Sequence, residues 1–131
     1  MRQQTALVLD DNSICRFLLA EIMKERNIKV SAYADPVSCL EKHLADLEKQ
    51  PFLFDFILTD NQMPGMTGLE FLQKLQEKGV ALRVERVAVI SGNWSEQELQ
   101  QARSLGCRIF AKPCDISRLH EWIDTVLKER P

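Results

Sequence analysis

Five residues of this 131-residue sequence are of types that could do chemistry together: the pair Asp10-Asp11, then Asp60, Ser91 and Lys112. Each stands at the end of a short apolar run, and tens of residues separate one run from the next. Three carboxylates drawn together repel by about 4 kcal/mol per pair at 4 Å and an effective dielectric near 20. Lys112 can neutralise one charge and a divalent cation the rest. Hard oxygens without His or Cys at these strand ends favour Mg²⁺, or Mn²⁺ in its place, over zinc or copper. Mg²⁺ also keeps positions open for phosphate oxygens, so the set suits a phosphoryl group, and a carboxylate can itself accept one. Asp60 is the central candidate, with the acidic pair on one side and the Ser91 hydroxyl and Lys112 ammonium on the other. Any one of these residues alone would read as a helix cap, a turn residue or a surface lysine. Their joint occurrence carries the inference.

The elements that must position them are legible as alternating short apolar runs and helical stretches. The strand candidates are Thr5 to Leu9, Ile28 to Ala32, Phe54 to Thr59, Arg86 to Ile90 and Cys107 to Ala111. Leu7-Val8-Leu9, Phe56-Ile57-Leu58 and Val87-Ala88-Val89-Ile90 are nearly continuous in apolar residues, as strands covered on both faces must be. Ile28 to Ala32 alternates and suits a strand nearer the edge. Asp35-Pro36 opens a helix whose stripe is Val37, Leu40, Leu44 and Leu47, ending at Pro51. Thr67 with Glu70 and Ser95 with Glu98 have capping-box spacing; Gly79 is a stop for the first of these helices, and Trp94 with Leu99 would staple the second. Ile116, Leu119, Ile123, Val126 and Leu127 stripe the last helix. Strict β-α alternation predicts an α/β, doubly wound, flavodoxin-like (βα)5 fold with a five-stranded parallel sheet in the order 2-1-3-4-5. That order places the ends of strands one, three, four and five side by side, where ligands gather.

Composition narrows the function classes. Hydrophobic residues at 45% and charged residues at 27% fit one folded domain. With 17 Lys plus Arg against 19 Asp plus Glu, the net charge of -2 offers no cationic field for direct nucleic-acid binding. No apolar run approaches the roughly 20 residues of a membrane span, and the first residues carry no secretory pattern, so a cytoplasmic address is expected. Cys15, Cys39, Cys107 and Cys114 form no C-x-x-C pair and read as buried or incidental thiols.

The motifs Val8-Leu9-Asp10-Asp11-Asn12, Leu58-Thr59-Asp60-Asn61-Gln62-Met63-Pro64-Gly65-Met66-Thr67-Gly68, Val89-Ile90-Ser91-Gly92 and Ala111-Lys112-Pro113 resemble the receiver domain of two-component response regulators, of the single-domain chemotaxis type. The resemblance covers residues 1–131 as one domain, with no output region among them. It implies that Asp60 takes a phosphoryl group from a phosphohistidine on a sensor histidine kinase or a histidine phosphotransfer protein, and that a downstream protein reads the result. It also implies Mg²⁺ on Asp11 and Asp60, with Asp10 helping through water and the Gln62 carbonyl completing the protein ligands. Lys112 would pair with phosphoryl oxygens, Ser91 would hydrogen-bond to one, and Lys112-Pro113 would be cis. Gln62 and Asn93 would tune the hydrolytic water, and self-catalysed transfer and slow autodephosphorylation would be the only chemistry.

Two positions depart from that family. Three residues before Lys112, where a switching Tyr or Phe is usual, stands Ile109; Phe110 is one residue late and faces the other side of the strand. Cys114 replaces a common Phe after Lys-Pro and is expected to be buried. On the first helix Ile14, Leu18 and Ile22 read as the core stripe, with Phe17 off it as a docking contact for the phosphodonor. Trp94 reads as a staple or a contact, Trp122 as core or as part of a signalling face, and His43 and His120 as solvated residues on helix flanks. Two other readings are a receiver-like interaction module that signals without phosphate, and an aspartyl phosphatase or phosphotransferase. The intact acidic set speaks against the first. The lack of an Asp-x-Asp motif after strand one speaks against the second.

Overall fold

A computed structural model describes residues 2–129. The elements alternate as expected: β1 (Thr5–Leu9), α1 (Ser13–Lys24), β2 (Lys29–Tyr33), α2 (Pro36–Lys49), β3 (Phe56–Asp60), α3 (Gly68–Glu77), β4 (Val87–Ser91), α4 (Glu96–Leu105), β5 (Arg108–Ala111) and α5 (Ile116–Lys128). All neighbouring strands are parallel and the sheet order is β2-β1-β3-β4-β5. This is the flavodoxin-like arrangement.

Alternation along each strand divides the core in two. Ala6, Val8, Phe56, Leu58 and Ile90 face α1 and α5, while Leu7, Leu9, Ile57, Val87 and Val89 face α2, α3 and α4. Phe110 belongs to the first layer and Ile109 packs on the second, so the two side chains of β5 do point to opposite faces. Both capping boxes form, with Thr67 and Glu70 opening α3 and Ser95 and Glu98 opening α4.

The boundaries differ where tertiary pairing overrides local pattern. Asp60 pairs with Ile90 and Ser91 with Ala111, so both polar residues belong to their strands. Arg86 sits instead in a short 3-10 turn before β4, its guanidinium over the Phe56 ring and bonded to the Gln4 side chain. Ile28 precedes β2 and is buried all the same.

Several helix faces turn differently from the expected stripes. In α1 the buried residues are Leu19, Ala20, Ile22 and Met23; Ile14 is 78% exposed and Leu18 45% exposed, in the company of Phe17. Of the expected stripe only Ile22 stays in the core. In α2, Val37 is exposed and Cys39 takes the buried position. Trp122 is core, edge-on to Phe56 and Phe110 with ring centroids 5.9 and 5.8 Å away, and so leaves the signalling face. The histidines are partnered: His43 Nε2 lies 2.7 Å from the Tyr33 hydroxyl and His120 Nδ1 lies 2.7 Å from Arg26.

Candidate functional site

The parallel pairing brings the C-terminal ends of β1, β3, β4 and β5 to one edge, and the chemistry-bearing residues come with them. Asp10, Asp11 and Asp60 each offer a carboxylate oxygen within 4.8 Å of the others. Lys112 reaches in from the end of β5, its Nζ 3.2 Å from Asp60 Oδ2 and 3.6 Å from Asp10 Oδ2. Asp10 and Asp60 are buried and Asp11 is exposed, so the cluster opens on its Asp11 side.

The hydrogen bonds orient each carboxylate. The Asn12 amide donates to Asp10 Oδ1 at 2.9 Å, and the Gln62 amide donates to Asp60 Oδ1 at 3.1 Å. The Arg16 guanidinium donates to the Asp10 carbonyl, tying α1 to the end of β1. Asp10 Oδ2 is buried and accepts no hydrogen bond. A buried carboxylate oxygen without a hydrogen bond is costly, and Lys112 at 3.6 Å meets that cost only in part. Together with two further hard carboxylates within a few ångströms, that oxygen fits a magnesium-type ion.

The electrostatics have separable causes. Burial pushes the Asp60 carboxyl above its ordinary range; the Gln62 N–H and Lys112 pull it down, and the Asp10 charge adds to the rise. For Lys112, burial alone would lower the pKa, but the Asp10 and Asp60 charges outweigh it and hold the ammonium above its ordinary value. Lys112 is therefore a firm cation 3.2 Å from an acid whose burial holds its carboxyl above the ordinary range.

The remaining sequence candidates are distributed around this edge. Ser91 is fully buried at the end of β4, its hydroxyl accepting from the Asn93 amide at 3.2 Å and facing the Asn93 carbonyl at 3.4 Å. It is thus engaged with the loop that follows rather than with the acids. The backbone of β5 locks onto it through Lys112 N–H to the Ser91 carbonyl, and Lys112-Pro113 is cis. Gln62 presents its amide to Asp60 while its side chain is exposed. Ile109 is half-buried, and Trp94, from the loop after β4, packs on the same layer and donates from Nε1 to the Phe110 carbonyl at 3.1 Å. Phe17 is exposed on α1. A cavity of about 240 Å³ opens beside Asp10 and Lys112, with Leu18, Pro113, Cys114 and Ile116 in its apolar wall. Cys114 is only half-buried there. Burial raises the thiol of Cys39 to about 12 and that of Cys107 to about 11, which leaves both inert.

One residue escaped the sequence reading. Asn61 is fully buried, and its side chain accepts from the Leu69 amide and donates to Glu98 of α4. An asparagine directly after an apolar strand was the available signal, since a buried amide demands partners.

Known proteins match this architecture. The model of the response regulator receiver domain matches residues 6–124. Sporulation initiation phosphotransferase F of Bacillus subtilis is 26% identical, covering 97% of this chain and 96% of its own. Two-component response regulator ARR17 of Arabidopsis thaliana is 31% identical over 85% of this chain and 76% of its own. The chain spans 66% of the length of two-component response regulator ORR6 of Oryza sativa, to which it is 30% identical. Among solved structures, a response regulator receiver protein from Pseudomonas putida superposes with a TM-score of 0.76 at 23% identity, covering 95% of this chain and 98% of that one. Chemotaxis protein CheY4 of Vibrio cholerae gives 0.70 at 22% identity, covering 97% and 98%. With the acids, the lysine and the strand order in their places, this chain belongs to the response regulator receiver domain family of two-component systems.

Proposed function

We propose that this chain is a phosphorylation-dependent switch that accepts a phosphoryl group on Asp60. The donor is a phosphohistidine on a sensor histidine kinase or a histidine phosphotransfer protein. The observation that carries this reading is the buried Asp60 carboxylate, fixed at Oδ1 by the Gln62 amide and flanked at Oδ2 by Lys112 3.2 Å away.

Asp10, Asp11, Asp60 and the Gln62 carbonyl would hold Mg²⁺, or Mn²⁺ in its place. When bound, the ion neutralises charge that develops on the phosphoryl oxygens. Asp60 supplies the attacking oxygen: an O–P bond to its carboxylate forms as the N–P bond to the donor imidazole breaks, and the imidazole leaves with that electron pair. Lys112, a firm cation, stabilises the equatorial oxygens, and reorienting the Ser91 hydroxyl from Asn93 towards them adds a donor. The same groups admit slow hydrolysis of the acyl phosphate, so the protein is a phosphoacceptor rather than an enzyme with a free substrate. Added charge at Asp60 then biases the loop after β4 and changes affinity for a downstream protein. The exposed Phe17, with Ile14 and Leu18 beside it, supports α1 as the docking contact for the donor. No direct nucleic-acid or membrane partner enters this reading, and its setting is the cytoplasm. No helix among the described residues is long and apolar enough to cross a membrane.

The test is incubation of wild type and Asp60→Asn with Mg²⁺ and acetyl phosphate, followed by intact-mass measurement. One phosphoryl group on wild type and none on the variant is the expected result. A wild type that stays unmodified, and that also fails to bind beryllofluoride, defeats the reading and favours a phosphate-independent module.

A further inference from the structure

Asn61, next to Asp60, uses both its backbone and its side-chain groups in hydrogen bonds. Its amide donates to the Ile90 carbonyl at 2.9 Å, and its carbonyl accepts from Gly68 at 3.1 Å. Its side-chain oxygen accepts from Leu69 at 3.1 Å, and its side-chain nitrogen donates to Glu98 Oε2 at 2.5 Å. Glu98 lies 37 residues away, in the first turn of α4. Its other oxygen accepts from the Ser95 amide at 3.2 Å, while its own amide donates to Ser95 Oγ at 3.1 Å. A single carboxylate therefore both caps α4 and holds the residue that follows Asp60.

The geometry has a lever in it. The Asn61 carbonyl and the Gln62 N–H belong to one rigid peptide plane and point in opposite directions. That N–H is the group aimed at Asp60 Oδ1. Displacing α4 pulls on the Asn61 side chain, tilts this plane and re-aims the donor that fixes the Asp60 carboxylate. The bond to Glu98 is charge-assisted and its amide partner is fully buried, so releasing it leaves a buried donor without a substitute. It is the only side-chain hydrogen bond linking α4 to the residues just after β3 among the described residues.

We propose that Glu98 is a positioning residue for the Asp60 site, acting through Asn61, and that this pair couples the start of α4 to phosphoryl acceptance by a route that bypasses Ser91. The proposal rests on the phosphoacceptor reading above. Coupling of this kind is reciprocal: a partner that shifts α4 alters acceptance at Asp60, and occupancy of Asp60 alters affinity for that partner. It gives α4 a direct connection to β3 in a chain whose β5 carries Ile109 rather than an aromatic ring.

The test is a polarity swap in the full chain. Asn61→Asp sets two carboxylates against each other, Glu98→Ala removes the acceptor, and Asn61→Asp with Glu98→Gln restores the hydrogen bond with donor and acceptor exchanged. Circular dichroism confirms folding of each. With Mg²⁺ and acetyl phosphate, the two single variants are expected to gain phosphate about tenfold more slowly, and the double variant to recover to within about threefold of wild type, as directly coupled sites do. Amide exchange at Gly68 and Leu69, which donate to Asn61, reads the pair without any phosphate; it should quicken in the single variants and slow again in the double. Unaltered exchange, wild-type rates in folded single variants, or a double variant no better than Asn61→Asp overturns the proposal. An unmodified wild type defeats the phosphoacceptor reading and the positioning role with it, and an exchange pattern that still responds to the variants then marks the pair as a fold contact.

Discussion

Trp94 is tied to β5 by its indole N–H, which donates to the Phe110 carbonyl 3.1 Å away. It leaves the loop after β4 one residue beyond Asn93, whose backbone holds the Ser91 hydroxyl. Any reorientation of Ser91 is thus felt at an indole. Beryllofluoride with Mg²⁺ is expected to change tryptophan emission. Trp94→Phe should abolish that change, while Trp122→Phe, which alters only the core ring, should keep it. A response carried by Trp122 instead would place the moving layer on the opposite face.

Gly68 opens α3 where no side chain fits. A Cβ there would lie 2.5 Å from the Asp60 carbonyl oxygen and 3.0 Å from the Thr59 side chain. Those neighbours are a strand backbone and a fully buried threonine, neither free to yield. Gly68→Ala is expected to lose about 1–3 kcal/mol in urea unfolding and to slow phosphorylation by displacing Asp60. Wild-type stability would show that α3 can back away from the sheet.

Crowding among Asp10, Asp11 and Asp60 makes their charges a liability until a cation binds. In metal-free buffer Asp60→Asn should therefore melt at a higher temperature than wild type. Added Mg²⁺ should reverse the order, because an ion bound only by the native state stabilises it by about 2.7 kcal/mol at a hundred times its dissociation constant. Melting curves with and without Mg²⁺ check both halves, and a variant that responds to Mg²⁺ like wild type would remove Asp60 from the ligand set.

At the opposite end of the sheet, Asp55 accepts two bonds from Arg2, at 2.7 and 2.8 Å, and one from the Thr5 amide. Burial pushes its carboxyl up, but Arg2 and Thr5 outweigh this and hold it below the ordinary carboxylate range. With the folded value depressed, Asp55 contributes stability above its unfolded pKa of about 3.9, and that contribution is lost as the pH falls through the folded value. Asp55→Asn should accordingly be less stable than wild type at pH 7, with the gap closing in acid. A gap independent of pH would assign the loss to packing.

Much of this was written in the sequence because β-α alternation leaves few topologies, and a parallel sheet collects its strand ends on one edge. Asp10, Asp11, Asp60 and Lys112 could be placed together from that alone. Periodicity tells which residues of a helix share a side, but not where the helix runs past the sheet. It therefore named Ile14 and Leu18 as core when they are exposed, and it preferred Val37 to Cys39. Polar pairings between remote residues leave no periodic trace: Asn61 with Glu98, His43 with Tyr33 and His120 with Arg26 each depend on how two packed layers meet. Trp122 could be core or surface by spacing, and only the rings of Phe56 and Phe110 decided it.

The wedge of Phe56, Phe110 and Trp122 between the sheet and α5 makes the molecule mechanically lopsided. Edge-to-face rings fill that side with large, closely matched shapes. The other side carries aliphatic Ile109, a tethered indole and α4, which Glu98 ties to Asn61. Under the proposed Asn61–Glu98 coupling, a charge gained at Asp60 would therefore be felt at α4 before it reached the α1 and α5 side.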